Sequence, residues 1–460
     1  MVILDDLKNI DILKLLETDK EQLLQQLDEL PAAEIKDLIH GLEYEEQLLI
    51  IRLFNREKQG EVVTELGLDI QMWLFNNTQI YEFARIFTHL SSDIRADIFQ
   101  NLEKDEQSRL LPYLDKKTRV DVINLSSYHP ETAGGIMITD FADIMQKMTV
   151  QEALEKIRKD SPSKKMIYYI YVVDKEMKLL GFVTLKDLIM SEPGISIEDI
   201  LHDNYIYAEA DEDRESVAHK IEKYDLIAIP VINPLHQLLG IVTHDDAIEV
   251  IRAEQTEDME KIMGINHSNE GVTYMDSSSF EHFKKRIWWI MSLSIVGIIS
   301  GMIIHKFETT LEKLIILALY MPMVADTGGN IGSQSATVVI RALALGHISL
   351  KDWFLVVWKE LRIALMISCI IGGIAFLKVM FLSYETTIPS QFTIISIAFV
   401  ISLALSFQAI SSAVIGALLP LMVKFFGGDP AVAASPAITT IVDITGLLIY
   451  FTTATIILGV

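Results

Sequence analysis

The residues able to do chemistry in this sequence are mostly carboxylates, and two groups stand out by their surroundings. Asp443 lies inside an otherwise apolar run, 432–459, where a helix places Thr439, Thr440 and Gly446 on adjacent faces with it. Such a helix offers oxygen ligands and no thiol or imidazole. Hard cations such as magnesium and calcium choose that set, and soft metals do not. A carboxylate in a membrane span is costly and by default marks an ion path or a proton relay; the bland alternative is a structural bond to a neighbouring helix. The second group is the stretch DDAIEVIRAEQTEDMEKIMGI, 245–265. As a helix it puts Asp246 and Glu249 on one face and Glu254, Glu257 and Asp258 on another. Like charges at those spacings repel, and a divalent cation removes the penalty. The alternative is a solvated linker helix.

Two further carboxylates sit in apolar surroundings. Asp429 stands where the run holding Asp443 begins, and Asp326 is followed by Thr-Gly-Gly-Asn, which suggests a helix break near the surface. Asn330, Ser333 and Gln334 add neutral oxygens, although close helix packing alone explains a stretch of such small residues. A single Asp443 per chain acts best if two chains pair their carboxylates on a two-fold axis, around magnesium that keeps several of its waters.

The elements that carry these residues divide sharply by charge. Of 460 residues, 50% are hydrophobic, yet the formal net charge is −24. Residues 1–286 hold 55 of the 63 acidic and 31 of the 39 basic residues, so the remainder is balanced at 8 and 8. An acidic domain of this kind repels nucleic acid and suits cations, or simply stays soluble. The single cysteine, Cys369, cannot form an intrachain disulfide. The acidic, amphipathic first residues carry no signal-peptide pattern, so the N-terminal part is expected to stay in the cytosol.

Residues 1–130 read as helical, with a repeat at a 60-residue offset: Asp37-Leu38-Ile39 matches Asp97-Ile98-Phe99, and Glu45-Glu46-Gln47 matches Asp105-Glu106-Gln107. Helix pairs repeating in this way stack as a solenoid. Over 137–252 the pattern becomes helix–strand–strand–helix, twice. LLGFVTLKDL (179–188) is echoed 59 residues later by LLGIVTHDDA (238–247). Five runs then reach the length of a bilayer span: 287–305, 314–345, 353–382, 392–424 and 432–459. Lys284, Lys285, Arg286, Arg341, Lys351, Lys359, Arg362 and Lys424 all fall on one side, which makes it cytosolic and puts the C-terminus outside. No nucleophile–base pair, P-loop or metal-hydrolase spacing points to an enzyme.

The tandem repeat at 137–252 resembles a pair of CBS modules, divided near 198. In that family a Thr and an Asp after the second strand meet an adenosine ribose. The matching residues are Thr184 with Asp187, and Thr243 with Asp246, all of which also suit plain helix N-capping. The chain as a whole resembles the MgtE magnesium transporters. The resemblance rests on PMVADTGGNIGSQSATVVIRAL (322–343), DPAVAASPAITTIVDITGLLIYF (429–451) and SYHPETAGGIM (127–137). It implies a helical N-terminal domain (1–130), a CBS pair (137–252), an acidic connecting or plug helix with its linker (253–276) and a five-helix membrane domain (277–460). It further implies a homodimer in the bacterial plasma membrane, with spans two and five lining a pore. Asp443 then matches the pore residue that recognises hydrated magnesium, and Asp429 a second acidic position nearby. Asp93, Asp97 and, more loosely, Glu61 match acids that share sensor ions with the CBS pair and with Asp246, Glu249, Glu254, Glu257 and Asp258. ATP at the CBS pair is a further implication. The rival readings are a proton- or sodium-coupled divalent-cation transporter and a nucleotide-sensing membrane scaffold.

Overall fold

A computed structural model describes residues 12–160, 166–266, 277–386, 388–433 and 435–459. The chain forms two compact units, Met1–Glu254 and Gln255–Val460. Residues 1–11 of the expected helical domain and 267–276 of the expected linker lie outside the described residues.

Unit 1 opens with short helices: α1 (Ile12–Thr18), α2 (Lys20–Asp28), α3 (Ala32–Ile39), α4 (Tyr44–Ile51), α5 (Arg56–Glu65), α6 (Leu68–Asn77), α7 (Ile80–Phe87), α8 (Ser92–Asn101), α9 (Lys104–Leu110) and α10 (Lys116–Leu125). From α2 onward each begins 12 residues after the one before. The 60-residue repeat is therefore five steps of a shorter unit, one helix and its turn rather than a helix pair. The sequence enforces the period in three ways. Leu30, Phe54, Leu66, Leu90, Leu102 and Leu114 bury one apolar side chain per turn. Asp19, Asn55 and Asp115 cap the next helix with a side-chain oxygen. Glu43 and Glu103 close capping boxes with Glu46 and Glu106. Finally, Gln47, Gln59, Gln71 and Gln107 each donate an amide hydrogen to the carbonyl five residues earlier, at 2.8–3.1 Å, tying turn to helix.

Two small sheets follow. After α11 (Ala133–Ile136), β1 (Phe141–Met145) leads through α12 (Val150–Asp160) to β2 (Met166–Val173), β3 (Leu179–Thr184) and α13 (Leu185–Met190). The second copy runs β4 (Ala208–Glu209), α14 (Arg214–Lys223), β5 (Ala228–Ile232), β6 (Leu238–Thr243) and α15 (His244–Ile262). In each sheet the leading strand pairs parallel with the middle one, and the last pairs antiparallel. The leading strands are an addition to the helix–strand–strand–helix pattern, for they are short and lack its apolar run. The two hairpins also share a left-handed residue at the turn, Met177 (φ 63°) and His236 (φ 59°), 59 positions apart like the repeat itself. The helical part and the second sheet share one core: Ala96 of α8 and Leu125 of α10 are buried with Met137, Val217, Val231 and Val250.

Unit 2 contains α16 (Ser279–Lys306), α17 (Glu308–Lys313), α18 (Ile316–Ala344), α19 (Trp353–Leu382), α20 (Ile394–Phe425) and α21 (Ser435–Leu458). Among the described residues, four helices are long and apolar enough to cross a membrane: Ser279–Lys306, Leu350–Leu382, Ile394–Phe425 and Ser435–Leu458. The remaining expected span, the second (314–345), is α18, which is as long but more polar. It also runs unbroken through Pro322 and through Gly328 and Gly329, contrary to the expected break beside Asp326. Packing explains the continuity. Gly332 and Gly416 bring α18 and α20 into backbone contact, so tightly that no Cβ fits at Gly416. Ser335 adds a hydrogen bond from its hydroxyl to the Ala413 carbonyl at 2.9 Å.

Candidate cation sites

The first site lies in unit 1, where α8 and α15 carry acids toward one another. On α8, Ala96 is buried in the shared core, and Asp93 and Asp97 flank it at the helical spacings that keep all three on one side. Asp93 Oδ1 is buried with no hydrogen-bond partner, an unusual and costly state for a carboxylate oxygen. Asp246 sits in the first turn of α15, where its Oδ2 accepts from the Thr243 backbone at 3.3 Å and from the Thr243 hydroxyl. Burial and the neighbouring charge of Asp93 push its carboxyl up to about 7, against the pull of the Thr243 bonds. Glu249, one turn on, reaches the surface, yet the protein crowded around its carboxyl and the charges of Glu65, Asp93 and Asp245 hold it above the ordinary range. Lys36 opposes them. Among the described residues no three acids stand close enough to share one ion in this arrangement. The acids are near enough to repel.

The other expected sensor acids are placed differently. Glu61 is on the exposed side of α5 with Lys58 at 3.4 Å. Glu254 is held by the Arg214 guanidinium at 3.0 Å, which also binds Glu131 at 3.2 Å. Asp97 accepts at its backbone carbonyl from Asn101 at 2.9 Å. Asp258 lies near the end of α15, beyond Glu254. Glu65 and Asp245 were not singled out by the sequence pattern. Glu65 is one turn beyond Glu61, so its place on the same helix was the available signal.

A second acidic group sits in unit 2, and it is not empty of cations. The Lys261 ammonium lies 2.5 Å from Glu257 on its own helix and 2.8 Å from Asp429 Oδ2. Burial works to lower its pKa, but those two carboxylates outweigh it and hold the ammonium more firmly protonated than usual. The other oxygen of Asp429 accepts from the Ala431 backbone at 2.9 Å, capping the short turn Pro430–Val432. Asp429 thus precedes α21 rather than beginning it. Its ligand capacity is largely taken by a lysine that the sequence pattern gave no reason to pair with it.

Within the helical bundle, Asp443 of α21 is half-buried, and among the described residues nothing donates a hydrogen bond to it or ion-pairs with it. The charge it feels is that of Asp326 on α18. Around it the polar groups are neutral. Ser333 accepts from Ser435 at 2.9 Å and lies 3.5 Å from Thr439. The Thr440 hydroxyl donates to the Pro436 carbonyl at 2.9 Å, so it is engaged within its own helix. Asn330 and Gln334 are exposed on α18. Glu360 of α19 accepts from Ser335 at 2.9 Å.

The residues expected to meet a nucleotide make local bonds instead. Thr184 and Asp187 form a reciprocal capping box at α13, and Asp187 is also 3.0 Å from His202 Nε2. Thr243 is buried and bonded to Asp246. Between the sheets, Tyr169, Tyr171, Phe182 and Tyr205 line a cavity of about 40 Å³.

Comparison with known proteins matches each part of this arrangement. The profile described as the divalent cation transporter MgtE matches residues 321–453, the MgtE intracellular N domain matches 30–131, and the CBS domain matches 133–193 and 197–253. A magnesium transporter MgtE from Thermus thermophilus is 34% identical over 334 residues, 73% of this chain and 72% of that protein. Another from Bacillus subtilis is 34% identical over 332 residues, 72% and 70% of the two chains. Among solved structures, the soluble part of a magnesium transporter superposes with a TM-score of 0.51 at 27% identity, covering 55% of this chain and 99% of that one. The cytosolic domain of the Mg2+ channel MgtE in complex with ATP matches at 32% identity and a TM-score of 0.49, covering 52% and 97%. The protein is therefore a membrane protein with an intracellular N domain and is no enzyme. With such identity across nearly three quarters of both sequences, the chain belongs to the MgtE family of magnesium transporters.

Proposed function

We propose that this protein is a magnesium-selective channel of the plasma membrane that closes when cytosolic magnesium rises. Two chains form the pore, with α18 and α21 of each lining it and the C-termini outside. The observation that carries this reading is the Asp443 carboxylate, half-buried in the bundle, with no cation or donor among the described residues to satisfy it and with Asp326 as its charged neighbour. A carboxylate used as structural glue would have a partner. Paired with its counterpart in a second chain, Asp443 supplies charge to a magnesium ion that keeps several waters, and the membrane potential drives the ion inward.

Closure uses the acids of unit 1. The donors are hard oxygens, the set magnesium takes, and the buried, unpartnered Asp93 Oδ1 is a ligand atom in waiting. Ions bound among Asp93, Asp246 and Glu249, with Asp97 and Glu61 contributing from the helical part, would draw the helical part and the CBS pair together; Asp258 lies on the later part of α15. Glu254 and Glu257 contribute less, since Arg214 and Lys261 already hold them. The acids of this group on α15 lie at its first two turns, on a helix that runs from His244 to Ile262. The ions favour the closed form only by the difference in their affinity for the two forms. ATP would bind between the sheets, where Tyr169 and Phe182 line a cavity.

Patch recording of Asp443→Ala beside the wild type, with magnesium varied on the cytosolic side, tests both halves. Conductance lost in the variant and wild-type openings suppressed by magnesium are expected. Unchanged conductance removes Asp443 from the pore, and indifference to cytosolic magnesium removes the gate. Flux that follows a pH gradient would favour a proton-coupled carrier.

A further inference from the structure

Gln408, on α20, belongs to neither cation site and was not singled out by any sequence pattern, yet it is fully buried in the membrane bundle. Its Nε2 donates to the backbone carbonyl of Val442 at 2.8 Å. That carbonyl belongs to the residue immediately before Asp443. It also accepts from the Thr445 hydroxyl at 3.0 Å, in addition to its place in the helix. The amide's other atom, Oε1, is buried with no hydrogen-bond partner among the described residues. The chain accepts the cost of that orphan oxygen, which in an apolar bundle is considerable. It also keeps the flanking space clear. A Cβ on Gly446 would lie 2.5 Å from Gln408 Nε2, and one on Gly328 of α18 would collide with the same atom. Three helices therefore meet at one carboxamide, at the level of Asp443.

Helices in a bilayer have no hydrophobic force to fix their height or rotation against one another. Packing of small residues and interhelical hydrogen bonds do so instead. A side-chain amide bonded to a helix carbonyl fixes both at once, because its donor must reach one carbonyl and no other.

We propose that Gln408 is the positioning residue of the ion path: its bond to the Val442 carbonyl sets the height and rotation of α21 against α18 and α20, and so the place where Asp443 presents its carboxylate. The proposal rests on the reading of Asp443 as the pore ligand. Gln408 touches no ion. Its loss shifts Asp443 without removing it, so what changes is how well the ion is held and discriminated rather than whether the pore exists.

The test is recording from full-length channels carrying Gln408→Met, which keeps an unbranched side chain of similar length and removes the donor. One hydrogen bond contributes about 0.5–1.5 kcal/mol, so a roughly two- to tenfold rise in the half-saturating magnesium concentration is expected. Discrimination against calcium should fall with it, while the protein elutes as the wild-type oligomer. Gly446→Ala provides a second route, because its methyl displaces the amide in a chain that still has Gln408; the same shift is expected. A folded Gln408→Met or Gly446→Ala channel with wild-type half-saturation and selectivity overturns the proposal. Asp443→Ala is measured alongside. If that variant conducts like wild type, the pore reading has failed on its own account. If it is dead and Gln408→Met is normal, only the positioning role has failed.

Discussion

The acids around Asp246 and the acids around Lys261 are alike in composition and opposite in state. In the first group Asp93, Asp246, Glu249, Glu65 and Asp245 crowd one another, and Lys36 is the cation acting on Glu249. In the second, Glu257 and Asp429 share an ammonium supplied by the chain itself. A cluster in which acid–acid repulsion outweighs one lysine gains when a divalent ion binds. A cluster with a tethered cation is already neutralised and has less to gain from magnesium. Acidic sequence alone does not separate a sensor from a latch; the position of one lysine does.

Removing that lysine should have the largest effect. Lys261→Met keeps the stem and leaves Glu257 and Asp429 facing each other without a cation. The three groups are roughly a quarter to a third exposed. The penalty should therefore fall between that of a surface pair and a buried one, about 2 kcal/mol. If the contact belongs to the closed channel, the ratio of open to closed should rise about 30-fold at high cytosolic magnesium, read as single-channel open probability. A variant that instead needs magnesium at this position to close would turn the latch into a second sensor, and the contrast drawn above would be lost.

The next effect tests the cluster around Asp246. Asp93→Asn removes one charge and the orphaned carboxylate oxygen. Without magnesium the repulsion on Asp246 and Glu249 falls, so the variant should open less than wild type. With magnesium it lacks a charged ligand, so half-closure should require roughly tenfold more of the ion, in line with one charge-assisted bond. Both changes are measured in one titration of open probability. A variant with wild-type closure would show that Asp93 is merely crowded there.

Acidity should reach the same site more gently. The carboxyl of Asp246 is pushed from its ordinary 3.8 to about 7. The folded cluster therefore binds its proton more tightly than the unfolded chain does. The resulting stabilisation is complete below about pH 4 and is lost as pH rises through about 7. Magnesium binds the ionised form, so binding near neutral pH should release protons. Calorimetry of the whole protein in buffers of different ionisation enthalpy would count them. A value near one half per cluster at pH 7 is expected, falling to zero in Asp246→Asn.

Much of this architecture is legible in the residues themselves. The echo of LLGFVTLKDL in LLGIVTHDDA becomes two sheets of identical topology. The 60-residue echo was real but too coarse. It matches apolar residues and Gln47 with Gln107 as well as acids, but the 12-residue step is carried by one buried leucine or phenylalanine per turn and by capping side chains that differ from helix to helix. The continuity of α18 was not legible, because Pro322 and paired glycines argue locally for a break and only contacts with α20 and α21 override them. The pairing of Lys261 with Asp429 spans 168 residues, and the crowding of Asp93 on Asp246 joins two different domains. No local pattern carries either.

The smallest expected effect concerns Glu61, which the family resemblance groups with the sensor acids. Its side chain is 54% exposed, and Lys58 stands 3.4 Å away on the same helix face. Exposed pairs of that kind contribute about 0.2–1 kcal/mol. Even if Glu61 meets an ion, much of its interaction is screened by water and shared with the lysine. Glu61→Gln should then move the magnesium concentration for half-closure by less than about threefold. Lys58→Met, which frees the carboxylate, should move it the other way. A larger loss in Glu61→Gln would mean that α5 moves its acids inward when ions bind. Glu65, one turn further along and already felt by Glu249, would then be the next residue to change.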